Sequence, residues 1–323
     1  MKIKRKTVVR VALITVPVLV ILYFIIGNVF YHFALNATSS QSRSIGEKHY
    51  VSSPSIEAER EQIEREKDIQ FLEQIQPEQL SITSHDGLKL TGYAFEQPTE
   101  TNEWVVAVHG YTGSVRQMTR WNRQLYELGY NIWAPDLRGH GKSEGSYYGM
   151  GWLDQKDLHD WLQLLLKREP DARIMLYGVS MGASAVLNIA ADAPPQVHGV
   201  IADSGFTSVQ SIFETQLHNV LHLPSFPIMN AANTVSKWRI GLDFKESSTV
   251  ERVKEIELPV FYIHGRQDTF VPVDNVHVLA EATTAPYELW IVHEANHGEA
   301  VKVDPDLYRK KVDAFIQRNM STN

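Results

Sequence analysis

Residues 173–185 read Arg-Ile-Met-Leu-Tyr-Gly-Val-Ser-Met-Gly-Ala-Ser-Ala. Arg173–Tyr177 is a short apolar run of the buried-strand kind, and Ala183–Ala191 has a helical pattern. Between them Gly178-Val179-Ser180-Met181-Gly182 spells G-x-S-x-G. Such a strand-to-helix turn is sharp and strained; its glycines let strand and helix approach closely and leave the serine hydroxyl at the tip. The helix N-terminus behind Ser180 favours negative charge developing there.

The same rhythm extends on both sides. Leu80–Ser84 and Leu88–Phe95 flank His85-Asp86-Gly87, a hairpin signal. Further strand-like runs are Trp104–Val108, Asn131–Ala134, Val197–Ala202, Pro259–Ile263 and Glu288–Val292. Helical patterns cover Arg116–Leu128, Trp152–Lys167, Val276–Ala282 and Asp306–Arg318. An opening hairpin followed by strand–helix units predicts an α/β fold: a mostly parallel sheet with helices on both faces, its site at the carboxyl ends of the strands.

A serine hydroxyl needs a base to take its proton and an acid to orient that base. Two later strands end in candidates: Pro259–Ile263 in His264-Gly265-Arg266-Gln267-Asp268, and Glu288–Val292 in His293-Glu294-Ala295-Asn296-His297. Ser180, Asp268 and His297 are the expected nucleophile, acid and base. Asp203, after Val197–Ala202, is the other candidate acid; the Gly265–Pro272 context favours Asp268. The segment His293–His297 also spells H-E-x-x-H, a zinc-protease pattern, but that motif needs a helix and here a strand runs into it. His218 and His222 share i,i+4 spacing without an accompanying carboxylate pattern and read as surface or lid histidines.

The chain order Ser…Asp…His with Gly178–Gly182 resembles the α/β-hydrolase superfamily. The resemblance covers about residues 78–320. It extends to His109-Gly110-Tyr111 and to Asp136-Leu137-Arg138-Gly139-His140-Gly141-Lys142-Ser143, which are similar to segments of lipase- and aminopeptidase-like serine hydrolases. It implies that the backbone N–H groups of Tyr111 and Met181 form an oxyanion hole. His109, Asp136 and His140 are expected to shape turns and hydrogen bonds. Acyl transfer to water by this set needs no metal or organic cofactor. Esterase or lipase chemistry on a small-molecule or lipid-like acyl substrate is the first expectation, with peptidase, amidase or acyltransferase chemistry on the same triad next. A non-catalytic membrane-anchored binding protein is the alternative of another class.

Composition agrees with a folded enzyme. The 323 residues are 43% hydrophobic, with 7 Trp, 13 Tyr and 12 Phe, which excludes a disordered chain. The absence of cysteine excludes disulfide scaffolds, thiol catalysis and cysteine metal sites. The net charge is -7, yet Lys2, Lys4, Arg5, Lys6 and Arg10 all precede a stretch, Val11–Leu35, without Asp, Glu, Lys or Arg. No basic stripe follows, which argues against nucleic acid. We read residues 1–10 as a cytoplasmic basic segment and 11–35 as an uncleaved transmembrane helix with the rest of the chain extracytoplasmic; a cleaved signal peptide is the competing reading. Residues 36–77 read as a Ser-rich linker, a helix start at Ser53-Pro54 and a solvated helical stalk, and 78–323 as the hydrolase domain. The insertion at about 205–255, rich in Phe and Leu, reads as a helical lid over Ser180.

Overall fold

The computed structural model describes residues 5–39 and 57–320. Lys2, Lys4, most of the Ser-rich linker and the Ser53-Pro54 helix start lie outside the described residues. An eight-stranded sheet runs in the order β1-β2-β4-β3-β5-β6-β7-β8. Its strands are β1 (Glu78–Thr83), β2 (Lys89–Phe95), β3 (Glu103–Val108), β4 (Asn131–Pro135), β5 (Arg173–Val179), β6 (Val197–Asp203), β7 (Val260–Gly265) and β8 (Tyr287–Val292). The hairpin pairs β1 with β2, and β2 runs antiparallel to β4; β3 through β8 pair in parallel.

Central strands are apolar throughout because both sheet faces are covered. Along β5, Ile174 and Leu176 enter one core, while Met175, Tyr177 and Val179 enter the other. Helix α3 (Thr119–Glu127) follows β3, α4 (Gln155–Arg168) follows β4 and α5 (Met181–Ala190) follows β5. In α4, Leu158, Trp161, Leu162 and Leu165 form the buried stripe, with Asp157 in the first turn and Lys167 and Arg168 in the last, matching the helix dipole. All of α5 is buried, which places it as the central helix behind Ser180.

Three expectations about the periphery change. Helix α1 (Arg5–Ala34) includes Ala12–Ala34, 23 residues of mean hydropathy 2.5, long and apolar enough to cross a membrane. Its end is part of the folded domain and not the start of a free linker: Tyr148 N–H donates to Leu35 O at 2.8 Å, and Ala37 N–H to Ser146 O at 3.0 Å.

Helix α2 (Ala58–Gln74), expected to be a solvated stalk, is docked. Phe71 stacks on Phe95 at 5.7 Å. The helix's Glu61, Glu64 and Asp68 take up the buried Arg120 and Arg123 of α3: Arg120 bonds to Glu61 at 2.6 Å and Arg123 to Asp68 at 2.8 Å, with Glu64 also on Arg123. Burial would raise the Glu61 and Glu64 carboxyls, but hydrogen bonds from Arg120 and Arg65, and from Lys67 and Arg123, outweigh it and hold both low. A charge pattern that is fully solvent-facing in an isolated helix is here a set of interhelical pairs.

The insertion, expected over Ser180, forms α6 (Val209–Asn219), α7 (Ser225–Ile240) and α8 (Thr249–Val253). None of its residues lines the cleft that holds Ser180. Its helix α7 instead packs along α1, with Tyr23 Oη and Thr234 Oγ1 2.8 Å apart. The remaining helices, α9 (Asp274–Ala282), α10 (Ala300–Val303) and α11 (Pro305–Met320), complete the two layers.

Candidate active site

The turn after β5 has no room for side chains at its glycines. A Cβ on Gly178 would lie 2.2 Å from Gly182 O, and one on Gly182 2.1 Å from Val108 O. Ser180 sits at φ 57°, ψ -118°, a sparsely populated conformation costing about 1–3 kcal/mol, which the surrounding strand and helix impose. Its N–H donates to Asp203 O at 2.7 Å, fixing the turn against β6.

The strand-end loops bring three side chains into one line. His297 Nε2 lies 2.8 Å from Ser180 Oγ, and His297 Nδ1 lies 2.7 Å from Asp268 Oδ2. The other Asp268 oxygen accepts N–H bonds from Phe270 (2.9 Å) and Val271 (2.7 Å). Burial would raise the Asp268 carboxyl; the His297 ring and the contact with His264 overcome it and hold Asp268 far below the usual carboxylate range. Burial likewise opposes a charge on His297, and Asp268 reverses that, so His297 is raised above an ordinary imidazole.

Asp203 takes a different place. Its carboxylate accepts hydrogen bonds from Tyr308 (2.8 Å) and Ser204 (2.9 Å), and the Tyr308 hydroxyl also meets Tyr177. Burial raises its carboxyl. The Nδ1 partner of His297 is therefore Asp268, while Asp203 belongs to a tyrosine network behind the turn.

The loop after β3 passes over Ser180: a Cβ on Gly110 would be 3.8 Å from Ser180 Oγ. Neither the Tyr111 nor the Met181 N–H is spent on a hydrogen bond among the described residues. Met181 opens α5, where the first amides have no intrahelical partner. His109 and Asp136 brace this loop: His109 Nε2 accepts from Leu137 N–H at 3.0 Å, and Asp136 accepts from Val115 N–H (2.8 Å) and Lys142 N–H (2.9 Å). Burial lowers the proton affinity of both histidines of that region, His109 and His140.

His293–His297 lies in turns, not in a helix, so His293 and His297 do not share a face, and His297 is already bound to Ser180 and Asp268. His218 and His222 lie in an outer hollow beside Thr269 and Phe270.

Above Ser180 opens a cleft of about 660 Å³. Its apolar wall comes from Ile69 and Leu72 of α2, Tyr111, Met118, Trp121 and Phe270. Phe270 packs against the His297 ring at 5.0 Å. The two α2 residues were not legible as site residues; the apolar positions at Ile69 and Leu72, three apart, were the available signal.

The strand order, the turn at Ser180 and the loops converging on it decide the fold. It is the α/β-hydrolase fold. Residues 99–240 match the family described as serine aminopeptidase, S33. The chain is 29% identical over 262 residues to the protein YqkD of Bacillus subtilis, across 79% of this chain and 85% of YqkD. It is similar to the solved Pyrococcus furiosus esterase Pf2001, with 26% identity, a TM-score of 0.63, and 76% and 91% of the two chains covered. The fold is also shared with a Pyrococcus horikoshii acylaminoacyl peptidase, with 20% identity, a TM-score of 0.56, and 76% and 42% covered.

Proposed function

We propose that this hydrolase cleaves carboxylic esters through Ser180, His297 and Asp268, with its N-terminal helix held in a membrane, the basic end cytoplasmic and the catalytic domain outside. The observation that carries the reading is the hydrogen-bonded line from Ser180 to Asp268 at the floor of an apolar cleft.

Neutral His297 carries its proton on Nδ1, where it donates to the Asp268 carboxylate, and accepts the Ser180 proton at Nε2 as Ser180 Oγ attacks the ester carbonyl. The oxyanion faces the Tyr111 and Met181 amides, donors of a kind worth about 10²–10³ in rate each. His297 then protonates the departing alkoxide and later takes a proton from the water that attacks the acyl-enzyme. The similarity to an esterase supports the ester.

The serine aminopeptidase match favours a second reading, cleavage of peptide N-termini. An aminopeptidase must hold an ammonium group, and that calls for a free carboxylate near the nucleophile. Among the described residues lining the cleft, the carboxylates are Glu61 and Asp68, and both are spent on Arg120. The cleft therefore offers no free carboxylate to an ammonium group among its described lining residues.

A fluorophosphonate probe should label the protein and fail on Ser180→Ala. Nitrophenyl esters of increasing acyl length should turn over, and aminoacyl nitroanilides should not. A folded protein that never labels overturns the hydrolase reading. Faster nitroanilide than ester turnover overturns the substrate class.

A further inference from the structure

We propose that the insertion is a second membrane-contacting element: Leu221, Leu223, Phe226 and Trp238 enter the lipid leaflet beside α1. This rests on the reading of α1 as a membrane helix.

Helix α7 is not merely near α1 but fitted to it. A Cβ on Gly27 would lie 2.4 Å from Ala231 O and 2.6 Å from Val235 Cγ2, so the two backbones approach as only a glycine permits. Tyr23 bonds to Thr234, Asn28 accepts from Arg239 at 2.6 Å, and the Arg239 guanidinium lies 5.0 Å from the centre of the Tyr31 ring. These pairs advance together along both helices, so the N-terminal end of α7 points toward the middle of α1. At ~1.5 Å per residue, the continuous helix from Pro227 reaches on the order of 10 Å beyond Thr234 in that direction, with Phe226 (φ -89°, ψ 134°) at the break just before it. There the α1 side chains Val16, Leu19 and Val20 are also exposed.

The sequence of the insertion has the composition this placement requires. Residues 215–236 contain no Asp, Glu, Lys or Arg. Phe226 is 76% exposed and Trp238 75%, and Leu221 and Leu223 are exposed as well. Lys237, Trp238 and Arg239 follow at the domain-side end, the cation and aromatic pattern of a membrane–water interface. The element also braces the cleft wall from outside, since Gln216 Nε2 donates to the backbone O of Phe270 at 2.6 Å. Lipid contact would thus hold the cleft at the membrane surface.

The chain has no cysteine, so single cysteines report cleanly. Full-length Leu221→Cys, Phe226→Cys, Leu19→Cys and Val278→Cys variants, each carrying an NBD fluorophore, would be reconstituted into phosphatidylcholine–phosphatidylglycerol vesicles. Val278, 46% exposed on α9, is the aqueous reference. Probes at 221, 226 and 19 should be quenched by doxyl-labelled lipid and several-fold less by iodide than the probe at 278. Lipid quenching at 19 with iodide quenching at 226 equal to that at 278 overturns the proposal and leaves the anchor standing. Iodide quenching at all four overturns both. A probe at 226 shielded from lipid and iodide alike means that a protein, or a second copy of the chain, covers this face, and also overturns the proposal.

Discussion

The Tyr111 hydroxyl donates to the Ala34 carbonyl at 2.8 Å, fastening the loop that crosses Ser180 to the last residue of α1. That carbonyl is one of those a helix end leaves without an intrahelical partner. Burial, reinforced by Tyr148, raises the phenol far above its ordinary range, so it remains a donor at any working pH. Apolar helix and candidate oxyanion loop therefore form one connected unit.

Tyr111→Phe separates the side chain's role from that of its amide. Losing one buried hydrogen bond should cost about 1 kcal/mol of stability, read as a lower Tm. The amide remains, so kcat should fall less than tenfold. A fall of about 10²–10³, the size expected for a lost oxyanion donor, would assign the hydroxyl a direct part in the reaction.

Asp268→Asn and Asp203→Asn distinguish the two carboxylates. The first should lower kcat by about 10³–10⁴ because His297 loses the acceptor that fixes its tautomer. The second should lower it less than tenfold while destabilising the fold, because Tyr308 and Ser204 lose their charged partner. The opposite ranking in steady-state kinetics would move the acid to the end of β6.

The pH dependence follows from His297 and Asp268. Catalysis needs neutral His297, and its proton affinity is raised, so kcat/KM should fall as pH drops through a midpoint above the ordinary 6.5. Asp268→Asn should shift this limb to lower pH. For stability, raised His297 contributes fully below 6.5, and its contribution is lost as pH rises through the folded value. Depressed Asp268 contributes fully above 3.8, and its contribution is lost as pH falls through the folded value. The pair's stabilisation should thus be greatest between about pH 4 and 6.5, a maximum that denaturation midpoints should lose in the double variant Asp268→Asn, His297→Gln.

Arg123→Ala tests the docking of α2. Arg123 is buried and joins Glu64, Asp68 and Glu127, so its removal strands carboxylates at the interface. The cost should be about 3–5 kcal/mol, seen as faster hydrogen exchange across residues 58–74. Because Ile69 and Leu72 wall the cleft, KM for long-acyl esters should rise more than KM for acetates. Unchanged exchange would mean that apolar contacts such as Phe71 on Phe95 hold the helix alone.

The local elements were legible because local rules produce them. Apolar runs bounded by turn residues marked the eight strands, and G-x-S-x-G marked the turn at Ser180. The loop after β7 offered Asp268 and the loop after β8 offered His297, in a readable order. Asp203 stayed a rival because it too follows a strand; only the direction of the His297 ring separates it from Asp268.

Sequence by itself determined the α/β rhythm, the serine turn, the candidate residues at the strand ends and an apolar N-terminal helix. Tertiary structure alone decided which segments cover the site. Glu61, Glu64 and Asp68 look like a solvated face until Arg120 and Arg123, more than fifty positions away, meet them. Gly27 looks like a weak point in a helix until Ala231 arrives against it. Periodicity records which face of an element is apolar. Which distant face it meets is fixed only when the whole chain competes for the same buried surface.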